Sequence, residues 1–548
     1  MKKKIIQPLH SKHLSFRHYP ILSAFFKKYR LFEFFDFHLP KKRHFFVSHA
    51  QCLLLFVCDC LTSRTPLYLY KNLVEDLDVE MIFGPSVRPE HLNEDAMGET
   101  LDAIKKFGVS KLFSLVLQHL RSQTNLDLTH LHVDTTNFSV AGEYYGVEDS
   151  PSCININFGH PKDMRTDLKR WALMMIVNAQ GIPVAMKALD GNSSDNLTII
   201  EGMKALAEAL GADEVAESIF IADSSFYTKA NITSFDGKWV THAQDKLKEV
   251  RRYQEMPDLP FVDSQAEGYK LYGFPSSYGD VEQRWVLVHS QQMYKLQEKT
   301  LQKKQEKHQK AASAEAYHLK AETFKCEPDA LSKARSLIAK WPLLKAMEPE
   351  ISSKSVKANG KRGRPKKGEE SEVFSVIVTF AKDPLAFEEA CRPLGKFMLA
   401  TNDLTLTDED ILQVYKQQGK VERGFRFLKD GTLRLTPVFL KSPGRIEALS
   451  FVMCFTLMVY AILENQLREA LAKKNETIHI QDAGPADYKD NAKPTLKKVF
   501  VLFEQLGTNS VTMPGGERLL IRNSLPPEVI KVLYFLGPDY LKAFDRRL

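Results

Sequence analysis

Apolar and polar positions alternate with two different periods along this chain, and the changes between them divide it. Up to about residue 125 the apolar residues recur at helical spacing, as in His49 to Leu61 (HAQCLLLFVCDCL) and Glu99 to Gln123 (ETLDAIKKFGVSKLFSLVLQHLRSQ). The turn-rich FGPSVRPEHLNED separates these two runs. From Leu128 the period shortens to that of strands: LTHLHVDTTNFSV, then RWALMMIVN, then IPVAMKAL, with Ala179-Gln180-Gly181 as the turn between the last two. A helix is predicted over Asp195 to Leu210, a fourth strand in SIFIAD, a short helical piece, and a fifth strand in KWVTHAQ.

The pattern changes again from about 245 to 395. WVLVH (Trp285 to His289) and VFSVIVTF (Val373 to Phe380) alternate as half-buried strands around a long, highly charged helical run from Gln291. Lys354 to Lys367 (KSVKANGKRGRPKK) holds seven basic residues in fourteen and no acid, and its Gly and Pro residues predict a flexible basic loop. The strand KFMLATN returns the chain to the earlier pattern. A long helix over Arg445 to Ala472 is apolar nearly all round in its first half and is expected to pack behind the sheet.

Three strands, a helix and a fourth strand form the opening of a ribonuclease H-like fold. The fold class expected is therefore α/β, with a ribonuclease H-like core built on a mixed five-stranded sheet, interrupted by an α+β insertion and flanked by helical N- and C-terminal regions. Periodicity leaves the spatial order of the strands open. The expected division is 1–125 helical and DNA-binding, 126–244 first part of the core, 245–395 insertion, 396–472 second part of the core, and 473–548 a helical tail. A length of 548 residues exceeds one ordinary core, which agrees with several domains.

Composition narrows the setting only a little. Lys and Arg number 75 against 68 Asp and Glu, a net +7 that permits a phosphate-binding surface without demanding one. Seven cysteines at irregular spacing form neither a zinc pattern nor a disulfide framework, which points to a reducing compartment, and Cys58 and Cys60 read as core. The basic start MKKKIIQPLHSKH has no continuous apolar run behind it, and the run Ala448 to Leu463 is shorter than a bilayer span of about 20 residues. Neither export nor a membrane partner is expected.

Candidate chemistry begins with Asp134, a charge inside the otherwise apolar strand LHVDTTNF, where burial is costly unless the group is paired or binds a metal. Asp223 ends the fourth strand. In a ribonuclease H-like sheet the first and fourth strands are neighbours, so these carboxylates would stand side by side, and a divalent cation resolves their repulsion. Alone, each acid would equally suit a strand cap or a surface ion pair. A third acid, Glu422, lies in the helical stretch Thr407 to Lys429, where Tyr415, Glu422 and Lys429 stand seven apart with Gln418 and Arg426 on intermediate turns. Oxygen-only ligands favour Mg²⁺ or Mn²⁺, and two such ions would serve an in-line phosphoryl displacement.

The order Asp134, Asp223, Glu422, with an insertion before the third acid, resembles that of DDE transposases of bacterial insertion sequences. Tyr415-x2-Gln418-x3-Glu422-x6-Lys429, VERGFRFLKD, FLKSPGRIEALSF and PKDMRTDLKR narrow the resemblance to the branch with a Tyr-Arg-Glu-Lys signature, insertion-sequence family four and its relatives. The resemblance implies cut-and-paste transposition: nicking at the element's ends, hairpin formation, reopening and strand transfer. It implies double-stranded DNA partners, namely terminal inverted repeats and target DNA, a homodimer in the DNA complex, and cytoplasmic, nucleoid-associated action. Tyr415 and Lys429 inherit phosphate contacts. Gln418 stands where the family has arginine, and a neutral donor lacks the bidentate grip of guanidinium, so either Arg423 or Arg426 compensates or hairpin handling differs.

Further DNA contacts are expected from Lys162, Arg165, Lys169 and Arg170 in the loop after the first strand, and from Arg364 in an AT-hook-like Gly-Arg-Pro. Trp285 is a candidate for stacking on a flipped base, as an insertion-domain tryptophan does in related enzymes. Trp171 and Trp239 are read as structural, and His160 and His242 as polar neighbours of the site. A nuclease without strand transfer and a domesticated DNA-binding regulator are the competing functions.

Overall fold

The computed structural model describes residues 10–62, 65–140, 153–159, 167–193, 200, 202–204, 206–207, 211, 215–357, 370–417, 419, 424, 440, 442–481, 484, 487–513 and 516–545. The chain forms two compact units, one of residues 1–240 and 414–548 and the other of residues 241–413.

In the first unit, β1 (His10–Ser15) precedes a helical stretch that includes His49–Cys60, Glu94–Phe107 and Val109–Arg121. Ser48 starts the first of these helices with a reciprocal cap, accepting from the Gln51 N–H while its own N–H donates to the Gln51 side chain. Five strands follow: β2 (His130–Val140), β3 (Lys169–Asn178), β4 (Pro183–Leu189), β5 (Ile219–Ala222) and β6 (Lys238–His242), at whose third residue the unit ends. Their order is β4-β3-β2-β5-β6, with β2 antiparallel to β3, β3 antiparallel to β4, and β2 parallel to β5. Asn178 makes the β3–β4 turn at the place its sequence predicts. Its Oδ1 accepts the N–H groups of Gln180 and Ile182 at 3.0 and 2.9 Å, and Gly181 takes the positive φ of 79° that the turn needs.

Every residue of β3 after Lys169 is buried, as a strand covered on both faces requires. A Cβ on Gly202 would meet the Met174 side chain, and one on Gly424 would meet that of Met175, so adjacent residues of β3 carry packing on opposite faces. The helix Pro443–Lys474 supplies much of the second cover, packing on β4 and on all three helices named above. Among the described residues it is the one helix long and apolar enough to cross a membrane, although most of its apolar window is buried within the fold. Its start is tied down by Arg445, which donates to both Asp102 oxygens at 2.8 and 2.7 Å, and by Glu447, 2.5 Å from Lys105.

The second unit contains β7 (Val262–Asp263), β8 (Tyr269–Tyr278) and β9 (Val281–Ser290), with the helix Gln291–Ala321 leading out of β9. Gly279 and Asp280, both at φ 64°, form the two-residue turn between β8 and β9, the left-handed pair that favoured hairpins use. Then come β10 (Leu344–Ala346), β11 (Glu350–Lys357), β12 (Glu370–Ile377), β13 (Phe380–Lys382) and β14 (Lys396–Thr401). Within the unit β14, β9, β8 and β7 lie in that order, each antiparallel to the next. Ala312, Ala316 and Leu319 of the long helix pack with Ala330, Ala334, Trp341, Val376 and Phe380 into a separate small core.

One sequence expectation changes here. Lys354 to Lys357, read as the start of a flexible loop, are strand residues of β11, paired along their whole length with β12. Lys354, Ser355 and Val356 are all exposed, so no buried apolar face marks this strand in the sequence, and the pairing partner defines it. The remainder of the expected loop, including Arg364, lies outside the described residues.

The C-terminal part of the first unit departs more from expectation. The stretch read as a helical tail contains β15 (Ile478–Gln481), β16 (Tyr488–Asn491), β17 (Gly507–Thr512) and β18 (Arg518–Arg522) alongside helices Leu496–Val501, Pro527–Leu536 and Pro538–Phe544. β17 pairs with β18 on one side and with β1 on the other. The first and last parts of the chain thus share a sheet, and the N-terminal region is not purely helical. Asp78 adds a tie, capping its helix at the Met81 N–H while accepting the Thr508 hydroxyl at 2.5 Å.

His18 sits at this junction, 3% exposed, its ring stacked on Phe500 at 3.7 Å between centroids. Burial first, and the charge of Arg17 second, lower its pKa from 6.5 to about 3. The unfolded chain binds this proton near pH 6.5 and the folded one does not, so the neutral His18 stabilises fully above pH 6.5 and its contribution drains away as pH falls towards 3. A loss of about 1.4 kcal/mol is expected by pH 5.5. Thermal melts across pH 7.5 to 4.5 should show it, and His18→Phe should flatten that part of the profile.

Candidate active site

Asp134 lies mid-strand on β2 and is only partly buried, with Leu131, His132 and Val133 before it and Thr135 and Thr136 after it all buried. Its Oδ1 accepts the Thr135 N–H at 2.7 Å. Across the sheet the parallel register pairs His130 with Ile219, Leu131 with Phe220 and His132 with Ile221. β5 ends at Ala222, so Asp134 and Asp223 each stand two residues beyond the last pair of this register, His132–Ile221, on neighbouring chains. The sequence expectation that the first and fourth strands are neighbours is met by the strand order.

The chain after β5 fixes the Asp223 carboxylate locally. Its Oδ1 accepts both the N–H of Ser225 at 2.9 Å and the Ser225 hydroxyl at 2.5 Å, closing a tight turn. The turn is anchored by Phe226 and Tyr227, both fully buried with their rings edge-on to Trp239 of β6. Trp239 and Trp171 are structural, as their sequence positions predict, and Trp171 stacks on Phe138 across β2 and β3 at 4.6 Å.

The face on which Asp134 stands is defined by its cross-strand partner, Met175 of β3, since paired residues of an antiparallel ladder point to one side. Gly424 packs on that face: a Cβ there would lie 3.3 Å from Met175 Cε and 3.2 Å from Leu457 Cδ2. Glu422 precedes Gly424 by two residues and lies outside the described residues, as do Gln418, Arg426 and Lys429.

Tyr415 is described, half-buried on the helix Asp408–Lys416. This helix opens with a reciprocal cap in which Thr407 Oγ1 accepts the Asp410 N–H at 3.2 Å and Asp410 accepts the Thr407 N–H at 3.1 Å. The residues of its first turn belong to the second unit and are paired within it. Arg284 Nε meets Asp408 Oδ1 at 2.6 Å, and Glu409 accepts the Ser264 hydroxyl at 2.8 Å and the Gln265 N–H at 3.2 Å.

The other expected residues fare differently. Lys169 is half-buried at the start of β3, whereas Arg170 is 1% exposed and follows the inside of the strand rather than the solvent. Lys162, Arg165 and His160 lie outside the described residues. Trp285 is corrected: it is 1% exposed on β9, donates its indole N–H to Gln283 at 3.2 Å and meets Phe274 edge-on, so it presents no ring face to a base. Apolar neighbours at Val286, Leu287 and Val288 carried that signal in the sequence. His242 lies 3.6 Å from Asp245, whose carboxyl it holds below the usual range. His132, fully buried two residues before Asp134 on the same face of β2, was passed over in the sequence, and its place in the strand alternation was the available signal.

Among the described residues no three His, Cys, Asp or Glu side chains gather into a metal cluster, so Asp134 and Asp223 are the described part of any ligand set. That part fits a hard divalent cation. It is all-oxygen, it juxtaposes two like charges, and a short turn holds one of the carboxylates.

Residues 11–118 match a domain of unknown function (DUF4277), and no curated protein matches the chain. The cryo-EM structure of the piggyBac transposase synaptic complex with hairpin DNA is 10% identical, over 81% of this chain and 76% of that one, with a TM-score of 0.35. Residues 127–459 match the family described as the transposase DDE domain, a span that takes in Asp134, Asp223 and Glu422. As that span is more than half of the chain, the protein belongs to the DDE transposase family and is a transposase enzyme.

Proposed function

We propose that this transposase moves an insertion sequence by cut and paste, with Asp134, Asp223 and Glu422 holding two Mg²⁺ or Mn²⁺ ions on a ribonuclease H-like core. The observation that carries the reading is the parallel β2–β5 register, whose last pair, His132–Ile221, lies two residues before each of two acids 89 positions apart in sequence. The strand order β4-β3-β2-β5-β6 supports the core assignment, because it is the order a ribonuclease H-like sheet requires of its first five strands. When bound, such ions supply Lewis acidity for an in-line displacement, activating a water or 3′-hydroxyl and stabilising the leaving oxygen.

The chain's own part is placement. Ser225 orients the Asp223 carboxylate, Thr135 does so for Asp134, and Gly424, two residues from Glu422 in sequence, packs against Met175. Tyr415 and Lys429 hold phosphates near the cut, with Lys169 a further contact. Hairpin formation is part of the scheme, with Arg423 or Arg426 serving where Gln418 lacks a charge. The substrates are the terminal inverted repeats and target DNA, the working form is a homodimer, and the protein acts in the cytoplasm at the nucleoid.

The test is incubation with Mg²⁺, a precleaved element end and a supercoiled target plasmid. Joined products are expected. Nicked DNA alone would indicate a nuclease without strand transfer, and end binding with no cleavage at any end sequence would indicate a regulator.

A further inference from the structure

The helix Gln291–Ala321 has two dissimilar halves. Its buried residues are Gln305, Ala312, Ala316 and Leu319, and none precedes Gln305. Full burial therefore begins near the middle of the helix, where the small core of the second unit starts, while the first turns are held from the same side through Tyr294 and Gln297 at Gly395. At 1.5 Å per residue, a helix of this length spans about 46 Å.

The lysines are arranged against that packing. Lys295, Lys299, Lys303, Lys307 and Lys310 are exposed, and at 100° per residue they fall within an arc of about 120°. The buried residues lie on the opposite side, centred roughly 150° from the middle of the lysine arc. Helical lysines are commonly paired with acids one turn away, which would make such a face neutral. Here none of these five has an ion pair among the described residues. The acid on this arc is Glu306, 3.9 Å from Lys382. Lys295, Lys299 and Lys303 follow one another at intervals of four residues, or about 6 Å of rise, in a row of positive charge that winds by about 40° at each step.

We propose that this face of the helix is a sequence-independent docking surface for the phosphate backbone of duplex DNA. Charge complementarity argues for the occupant. A row of unpaired ammonium groups at regular spacing suits a polyanion of regular spacing, and long lysine side chains meet phosphates as mobile point charges without base readout. The proposal rests on the transposase reading, which supplies DNA as the substrate but assigns this helix no contact.

The experiment compares wild-type protein with Lys295→Gln/Lys299→Gln/Lys303→Gln by measuring duplex DNA affinity from 50 to 200 mM salt. If three phosphate contacts are lost, the slope of log K against log salt should shrink by about 2.7. The affinity lost across that salt range should then be about 40-fold smaller than in the wild type. Circular dichroism should be unchanged, and the single variants Lys295→Gln, Lys299→Gln and Lys303→Gln should each give about a third of the effect on the slope. Equal affinity and slope for wild type and triple variant would overturn the proposal, as would a loss of self-association or of protein-partner binding without loss of DNA binding. Failure of the wild type itself to bind duplex DNA would instead overturn the transposition reading.

Discussion

Asp134→Asn and Asp223→Asn are each expected to lower the rate of DNA end cleavage on the order of 10³-fold or more, about 4 kcal/mol in transition-state stabilisation. The same variants should leave end binding intact. Asparagine keeps the shape and one acceptor of aspartate but loses the charge that a hard divalent cation needs from its ligands. If the two acids meet beyond the last pair of the β2–β5 register, it also removes their mutual repulsion. Like charges directly opposed on a sheet cost up to about 1 kcal/mol, so without metal each variant should melt no lower than wild type. With Mg²⁺ the order should reverse, because binding to the folded state stabilises only a protein that retains the ligands. Melting with and without Mg²⁺, read beside cleavage, therefore separates a lost ligand from a lost fold. A variant that melts early in both conditions, or cleaves at the wild-type rate, would overturn the assignment.

The parts of this molecule legible in the sequence are those whose signal is local. The continuous apolar run of β3 reports burial on both faces, and Asp134 stands out because a charge interrupts the apolar residues around it. The Asn178 turn and the apolar helix Pro443–Lys474 are legible for the same reason. What could not be read depends on a distant partner. β1 is formed from His10 to Ser15, a polar stretch that becomes a strand by pairing with Gly507 to Thr512 at the other end of the chain. β11 has its lysines and serines organised by β12, and nothing in its own alternation shows that. β8 is different. Gly279-Asp280 is a recognisable hairpin signal, but Pro275 and Gly273 inside the strand obscure the run before it. At the site, the identity of the two aspartates was legible, whereas their common face follows from the register with β5 and β3. Trp285 shows the converse error: its chemistry suited a base, but burial among Val286, Leu287 and Val288 decides its role.

Gly424→Leu is expected to reduce cleavage about 100-fold while DNA binding changes little. Even a single added carbon at Gly424 would lie 3.2 Å from Leu457 Cδ2 and 3.3 Å from Met175 Cε, tighter than ordinary carbon contacts. Alanine asks these flexible side-chain ends to yield by a few tenths of an ångström, and a mild effect is expected. Leucine adds three more carbons to a close-packed layer, where overpacking costs about 1–3 kcal/mol and is relieved by moving backbone. Met175 is fixed in the centre of β3 between two paired strands, so the strain is relieved at Gly424 itself, two residues from Glu422 in sequence. A shift of about 1 Å in a catalytic group can cost on the order of 100-fold in rate. Met175→Ala vacates the opposing space, so Gly424→Leu/Met175→Ala should recover part of the lost activity although Met175→Ala alone leaves a cavity and lowers stability. That reversal of sign is what distinguishes positioning from simple damage. Two destabilising changes would compound if Gly424 mattered only for folding, whereas a shared steric contact makes the second change compensate for the first. Cleavage rates of the four proteins in this cycle, at saturating Mg²⁺ and DNA, measure the coupling. A double variant slower than Gly424→Leu would show that the packing of Gly424 on Met175 does not set the position of the third acid.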